Sequence, residues 1–369
     1  MQKFNETTPL TTTPQVPVSP PDPRLESARR FSHDILPAVS RTFALSIRVL
    51  PGVLGQAVNC AYLLCRIADT IEDEPVLPAA EKAALFDRFL ACFDDPALAD
   101  GFPALIERMA GEPAHLRLVH HADLVFVVFR QLPPATRAHV QRWVTEMAVG
   151  MRKFVLRYPH GIRIQTLDEY REYCYYVAGT VGYLLTDLWH EHTPSIGQRE
   201  YAALRERSRS FAEALQTVNI LKDVAPDAAH ENSIYIPEQL LAEYGSSHAA
   251  ILAGERVEGT QAALTSLIEM AWEDLEHAKD YLLLVPRRAV AVRLFCALPL
   301  LFAYATLRDL TRSPTALARR EVVKISRAEV KSLIALSVIG ILSNRVLNGL
   351  AERARRRPVR LVPRWGGRQ

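Results

Sequence analysis

Two stretches of this sequence place carboxylates one helical turn apart. The first reads Cys60-Ala-Tyr-Leu-Leu-Cys-Arg-Ile-Ala-Asp-Thr-Ile-Glu-Asp73. At about 100° per residue, Tyr62, Arg66, Asp69 and Asp73 fall within an arc of roughly 60°. One helix stripe therefore presents a phenol, a guanidinium and two carboxylates. Glu72 lies nearly a quarter-turn away and is expected only to support the edge. Carboxylates one turn apart repel and weaken a helix; a cation between them removes that cost. Magnesium prefers oxygen ligands, takes few carboxylates and completes its shell with phosphate oxygens. Ala61, Leu63, Leu64, Ile67 and Ala68 flank the stripe, so the acids are expected to face a partly buried place. Read alone, Asp-x-x-Glu-Asp fits a solvated acidic helix end as well as a metal site.

The second stretch reads Gln216-Thr-Val-Asn-Ile-Leu-Lys-Asp-Val-Ala-Pro-Asp227. Gln216, Asn219, Asp223 and Asp227 share a face within roughly 80° if the helix stays regular. Pro226 removes a backbone donor and is expected to kink or end the helix just before Asp227. Asp223 is then the safer ligand, and Lys222 could reach a diphosphate oxygen. Two such helices facing across a bundle would cage a metal-bridged diphosphate, whose C–O bond can then ionise. The rest of that cavity must be apolar, to hold isoprenoid tails and shield a carbocation from water, with aromatic faces to stabilise the cation.

The elements that must position these groups read as helices. Apolar residues recur at helical spacing through 79–93, 135–156, 167–188, 208–224, 259–284, 290–310 and 327–355. Pro133-Pro134, Pro194 and Pro286 fall between these segments, and period-2 strand runs are rare. The sequence predicts an all-α, single-domain helical bundle. Residues 1–24 read as a disordered Pro/Thr-rich leader, with six prolines in the first 23 positions. Residues 25–350 form the helical domain and 351–369 a basic tail.

The 369 residues are 49% hydrophobic, enough for one large core. Five cysteines at 60, 65, 92, 174 and 296 show no CxxC spacing, which argues against a disulfide framework or a zinc site. No apolar segment with a basic flank opens the chain. Neither Val49–Cys65, which contains Pro51, Gln56 and Asn59, nor the short run Leu333–Leu342 meets the roughly 18–20 apolar residues of a spanning helix. The expected location is cytoplasmic, without a transmembrane segment and with peripheral membrane association. Residues 351–369 carry a net charge of +6, leaving −3 for residues 1–350. That tail is a candidate contact with anionic membrane, worth ~1 kcal/mol per basic residue near the surface. Nucleic acid is not an expected partner, because Trp365 is the tail's one interleaved aromatic.

Taken together, the motifs resemble those of the squalene/phytoene synthase family. The resemblance runs from Ser40-Arg-Thr-Phe43 to about Lys331. It is carried by Ser40–Phe43, by Tyr62–Asp73, by Tyr173-Cys-Tyr-Tyr-Val-Ala-Gly-Thr-Val-Gly182, and by Asn219–Asp227 leading to Tyr235-Ile-Pro237. It implies a single isoprenoid-synthase bundle with a central apolar cavity, and head-to-head condensation of two prenyl diphosphates such as farnesyl diphosphate. By this resemblance Asp69, Asp73, Asp223 and Asp227 match magnesium-diphosphate positions. Arg41, Arg66, Gln216 and Asn219 match residues that hold diphosphate. Tyr173 matches the tyrosine of the first half-reaction, and Tyr62 lines the same cavity. The residues themselves add that Tyr173, Val177, Thr180 and Leu184 share one face of a regular helix. Gly179 and Gly182 leave room for a neighbouring helix or a prenyl chain, and Tyr175 and Tyr176 are expected in the core. Two departures stand out. Pro226 occupies a usually acidic position, and Ser233 a position where the family commonly has arginine, in a connection one residue longer. Lys222 or another base would have to compensate.

Phe295-Cys-Ala-Leu-Pro299 and Val322-Val-Lys-Ile325 with Arg327 resemble the C-terminal region of the squalene-forming branch, which reduces its cyclopropyl intermediate with NADPH. That resemblance puts Phe295 and Cys296 near the second-step pocket, and Lys324 and Arg327 near the nucleotide phosphate. No Gly-x-Gly-x-x-Gly unit follows a strand, so NADPH rests on the resemblance. The alternatives are a phytoene or dehydrosqualene synthase that needs no reductant, and a non-catalytic helical scaffold. A scaffold would be expected to have lost acidic ligands, yet both aspartate pairs are present.

Overall fold

Several helices here begin where a side chain accepts the unpaired N–H groups of a first turn. Asp22 accepts from the Arg24 amide and Pro23 occupies the first helical position, which starts α1 (Pro23–Val39). Ser40 accepts from the Phe43 amide at 3.1 Å and starts α2 (Arg41–Ile47), so the Ser40–Phe43 motif is a helix cap. The computed structural model describes residues 22–313 and 323–360. The leader up to residue 21, Val322 and the tail beyond residue 360 lie outside the described residues.

After α2 the chain runs through α3 (Gly52–Glu72), α4 (Ala79–Ala91), α5 (Pro96–Gly101), α6 (Pro113–Val119), α7 (Ala122–Arg130) and α8 (Pro134–Arg157). It continues with α9 (Leu167–Cys174), α10 (Thr180–His192), α11 (Gln198–Pro226), α12 (Glu238–Glu243), α13 (His248–Ala253) and α14 (Val257–Leu284). The last helices described are α15 (Val290–Arg312), α16 (Arg327–Gly340) and α17 (Asn344–Arg356). Among the described residues the only β-pairing is an isolated bridge between Arg163 and Ile234. The long helices pack in sequence around a shared core: α3 on α8, α8 on α10, α10 on α11, α11 on α14 and α14 on α15. Helix α2 closes the ring by packing on both α3 and α15.

Two expected helices are interrupted. The segment over 167–188 contains a π turn, Tyr175–Gly179, between α9 and α10. This widened turn breaks the expected common face: Tyr173 and Val177 reach the central cleft, whereas Thr180 and Leu184 are buried elsewhere in the core. Gly179 and Gly182 make room for a helix, not a chain. A Cβ on Gly182 would sit 2.1 Å from the Ser208 carbonyl oxygen of α11. Tyr175 and Tyr176 are only partly buried. The segment over 327–355 divides into α16 and α17. Ser343 caps α17, and buried Arg293 takes the Ile341 carbonyl at 2.8 Å in the corner between them. The basic segment expected from 351 therefore starts inside α17, where Ala351 and Ala354 are buried.

Helix α15 is long and apolar enough, by length and composition, to cross a membrane, but most of it is buried inside the bundle. Its far end is anchored by a buried ion pair. Arg308 donates to both oxygens of Glu329 at 2.7 and 2.9 Å, and also to the Ala354 carbonyl. Glu329 accepts in addition from the Val359 amide at 2.9 Å. One side-chain pair thus ties α15, α16 and the end of α17 together. Removing one partner strands a buried charge, which typically costs about 3–5 kcal/mol. Glu329→Leu is predicted to lower unfolding stability by about that amount, measured by urea denaturation. Arg308→Met/Glu329→Leu should lose less than the single change, and equal losses would show that the charge is not the cause.

Candidate active site

A cleft of about 830 Å³ lies between α2, α3, α9, α11, α15 and the start of α16. That volume is at the upper end of the roughly 300–1,000 Å³ typical of small-molecule sites. Tyr62, Arg66, Asp69 and Asp73 line one wall from α3; Gln216, Asn219, Lys222 and Asp223 line the opposite wall from α11. Asp227 also lines it, so both predicted acidic stripes face one space. Pro226 does not end the wall. Helix α11 runs through it into a π turn, Asp227–Glu231, which closes at Asn232 with φ of 50°. The Asp227 amide still reaches the Asp223 carbonyl, and the wider turn absorbs the missing proline donor.

Three of these acids have defined partners. Arg66 spans Asp69 at 3.3 Å and the Tyr62 hydroxyl at 3.4 Å, while Tyr62 donates to the Val39 carbonyl. Lys222 pairs with Asp223 at 3.0 Å. Glu72 is buried and accepts from the Tyr173 hydroxyl at 3.1 Å, so it is a central member of the cluster and not merely its edge. Lys82 of α4 donates to the Glu72 carbonyl at 2.8 Å. Glu74 turns away and is satisfied by the amides of Val76, Leu77 and Ala110. Tyr173 stacks on Tyr235 with ring centroids 4.8 Å apart and meets Phe154 edge-on at 5.1 Å.

Glu231 joins Asp227 on the same wall. Residues 223, 227 and 231 repeat at four-residue spacing, the one signal for Glu231 in the sequence. Tyr235 also lines the cleft. Ser233 does not substitute for the family arginine. It is buried, with its Oγ accepting from the Ile162 amide. Lys222 therefore remains the base on that wall. The apolar remainder comes from Phe43, Val177, Leu215, Phe302, Ala303 and Val330, among others.

Other expected positions fall differently. Lys324 lines the cleft, and Arg327 is exposed on the first turn of α16. Phe295 is not on the cleft: it is buried against Trp189, ring centroids 5.1 Å apart, with Cys296 buried beside it. The cleft-facing residues of α15 begin four positions on, at Pro299. Arg41 stands at the start of α2; its side chain lies outside what the structure describes.

The charge balance suits a cation. Burial, then Asp73 and Asp69, push the Glu72 carboxyl well above its usual range. Burial, then Glu231 and Asp69, do the same to Asp73. Burial followed by Asp223 and Asp73 raises Asp227 to about 8; burial followed by Asp227 and Glu72 raises Glu231 to about 8. Arg66 Nε and Glu72 Oε1 are buried without a hydrogen-bond partner. No three metal-binding side chains among the described residues converge to hold an ion unaided. The arrangement is acids on two facing walls with a gap, which fits ions shared with a phosphate ligand.

The structure also resembles known proteins. A family model described as Squalene/phytoene synthase matches residues 36–329. Squalene synthase of Schizosaccharomyces pombe is 27% identical over 312 residues, covering 84% of this chain and 65% of its own. Squalene synthase 1 of Arabidopsis thaliana is 28% identical over 291 residues, covering 78% and 65%. The chain thus spans about two-thirds or slightly less of the length of these relatives. A structure of TcSQS with a ligand superposes with TM-score 0.74 at 23% identity, covering 89% of this chain and 98% of that one. Squalene synthase HpnC of Alicyclobacillus acidocaldarius gives 0.52 at 19% identity, covering 79% and 95%.

The raised carboxyls predict a pH dependence. Unfolded carboxyls titrate near 4, so between about pH 4 and 8 the folded, metal-free protein binds more protons than the unfolded chain. Stability in chelator should therefore fall as pH rises through that window and level off above it. Asp227→Asn/Glu231→Gln should flatten the slope of urea midpoint against pH. Parallel slopes for wild type and variant would show that the cluster does not carry the repulsion.

Proposed function

The chain belongs to the squalene/phytoene synthase family, and from that premise we propose that it is a squalene synthase. It would condense two farnesyl diphosphates to presqualene diphosphate, releasing one diphosphate and a proton. It would then reduce that intermediate with NADPH, releasing the second diphosphate and squalene. The observation that carries this reading is the cleft itself: carboxylates from two helices at its polar end, and apolar walls beyond. The names of the relatives support the squalene branch.

Asp69, Asp73, Asp223 and Asp227 would hold Mg²⁺, with Glu231 close behind. When bound, magnesium neutralises the departing diphosphate. Arg66, Lys222, Gln216, Asn219 and Arg41 would take diphosphate oxygens. A guanidinium is the better fork for them, and Arg66 still has an unpaired Nε. The hydrogen-bonded Tyr173–Glu72 pair would move a proton. The phenol oxygen can accept the proton lost on ring closure as it gives its own to Glu72. Val177, Phe302 and the other apolar walls would exclude water, while the faces of Tyr62, Phe43 and Tyr235 stabilise positive charge in the chain.

Lys324, on the cleft, and Arg327, exposed on the first turn of α16, would hold the nucleotide phosphates. NADPH supplies the hydrogen and electrons that separate squalene from dehydrosqualene. Work on such oily chains favours a cytoplasmic enzyme at a membrane surface.

Purified protein with farnesyl diphosphate and Mg²⁺ is predicted to yield squalene only when NADPH is added. Asp69→Asn should cut turnover at least about 100-fold with the fold intact, comparable to removing a group that stabilises transition-state charge. Lys324→Ala should raise the KM for NADPH and leave presqualene diphosphate formation unchanged. Dehydrosqualene as sole product with and without NADPH would overturn the squalene assignment.

A further inference from the structure

The corner between α16 and α17 exposes several apolar side chains. Ile339 is 77% exposed, Leu342 58%, Val338 52% and Val346 47%. The turn between α14 and α15 adds Leu284 and Val290, both more than 40% exposed. These two loops sit side by side because buried Arg293 bridges them. Its Nε donates to the Ile341 carbonyl, Nη1 to the Val285 carbonyl and Nη2 to Asn344 Oδ1 at 2.8 Å. Asn344 in turn donates to the Leu283 carbonyl at 2.9 Å. The patch is thus held as one rigid surface, not left as frayed ends.

Its rim is basic. Arg287, Arg288 and Arg345 are exposed, and among the described residues no ion pair engages them. Residues 281–293 and 330–351 contain no aspartate or glutamate. The nearest acids in sequence are Asp280, one turn back on α14, Glu329, buried in its pair with Arg308, and Glu352, which pairs with Lys279. An apolar patch with a cationic rim on a body of net charge −3 matches the interface of an anionic bilayer. A route connects it to the cleft. Val330, which lines the cleft, half-buried Ile334 and exposed Val338 repeat at four-residue spacing and form one stripe of α16. That stripe runs about 12 Å along the helix.

We propose that this corner, formed by the α14–α15 turn and the α16–α17 junction, seats the protein on anionic membrane. Apolar side chains enter the headgroup region and the three arginines meet lipid phosphates. The proposal stands on these side chains and does not depend on the prenyl chemistry.

Flotation with phosphatidylcholine vesicles, with and without phosphatidylglycerol, tests it on the full chain. Wild type should float with the anionic vesicles and be released by salt. Ile339→Asp/Leu342→Asp and, separately, Arg287→Glu/Arg288→Glu/Arg345→Glu should each weaken vesicle partitioning about tenfold or more. Truncation after Arg360 should retain most of it. The arginine triple variant, altered only at exposed positions, keeps the test decisive if the apolar double variant unfolds. Undiminished flotation of both variants would overturn the proposal. So would loss of flotation on truncation alone, or variants that convert a dimer to monomer while still binding lipid.

Discussion

The repulsion among carboxylates gathered at one end of the cleft is the constraint on which the rest of the structure depends. Asp69, Glu72, Asp73, Asp227 and Glu231 share a half-buried space with Arg66, Lys82 and Lys222 as the neighbouring cations. Burial raises each of these carboxyls because the charged form loses water, and like-charged neighbours add to the shift for Glu72, Asp73, Asp227 and Glu231. An isolated protein would lower that cost by losing an acid or opening the site. The chain keeps the acids and braces the walls that carry them.

The bracing is visible in the packing. From Cys60 to Glu72, α3 is buried apart from its cleft-facing stripe, which fixes the direction its acids face. Helix α11 is locked against α10 by the close approach at Gly182 and against α14 along much of its length. Glu74 spends its charge on three backbone amides and so drops out of the repulsive cluster. At the other end, the Arg308–Glu329 pair fixes α16 relative to α15 and brings Lys324 and Val330 to the cleft.

The regular part of this site was legible in the sequence. Tyr62, Arg66, Asp69 and Asp73 face the cleft because nothing between them disturbs a 3.6-residue period. Irregular backbone hid the rest. Pro226 suggested a break, yet the π turn that absorbs it keeps Asp227 on the wall and adds Glu231. The π turn at Tyr175–Gly179 likewise moved Thr180 and Leu184 off the face predicted for them. Phe295 was placed by likeness of a segment, while the register of α15 points Pro299, Phe302 and Ala303 into the cleft instead. Hydrogen bonds across distant segments, such as Tyr173 to Glu72, leave no periodic signal at all.

The central claim is that the two acidic walls act as one cradle for a metal-bound diphosphate. Crystals grown with Mn²⁺ and an unreactive thio analogue of farnesyl diphosphate test it through the anomalous signal of the metal. The account predicts cations between Asp69 and Asp73 on one side and Asp223 and Asp227 on the other, with the diphosphate reaching Arg66 and Lys222. Cations confined to one helix, or a diphosphate bound away from both walls, would contradict it.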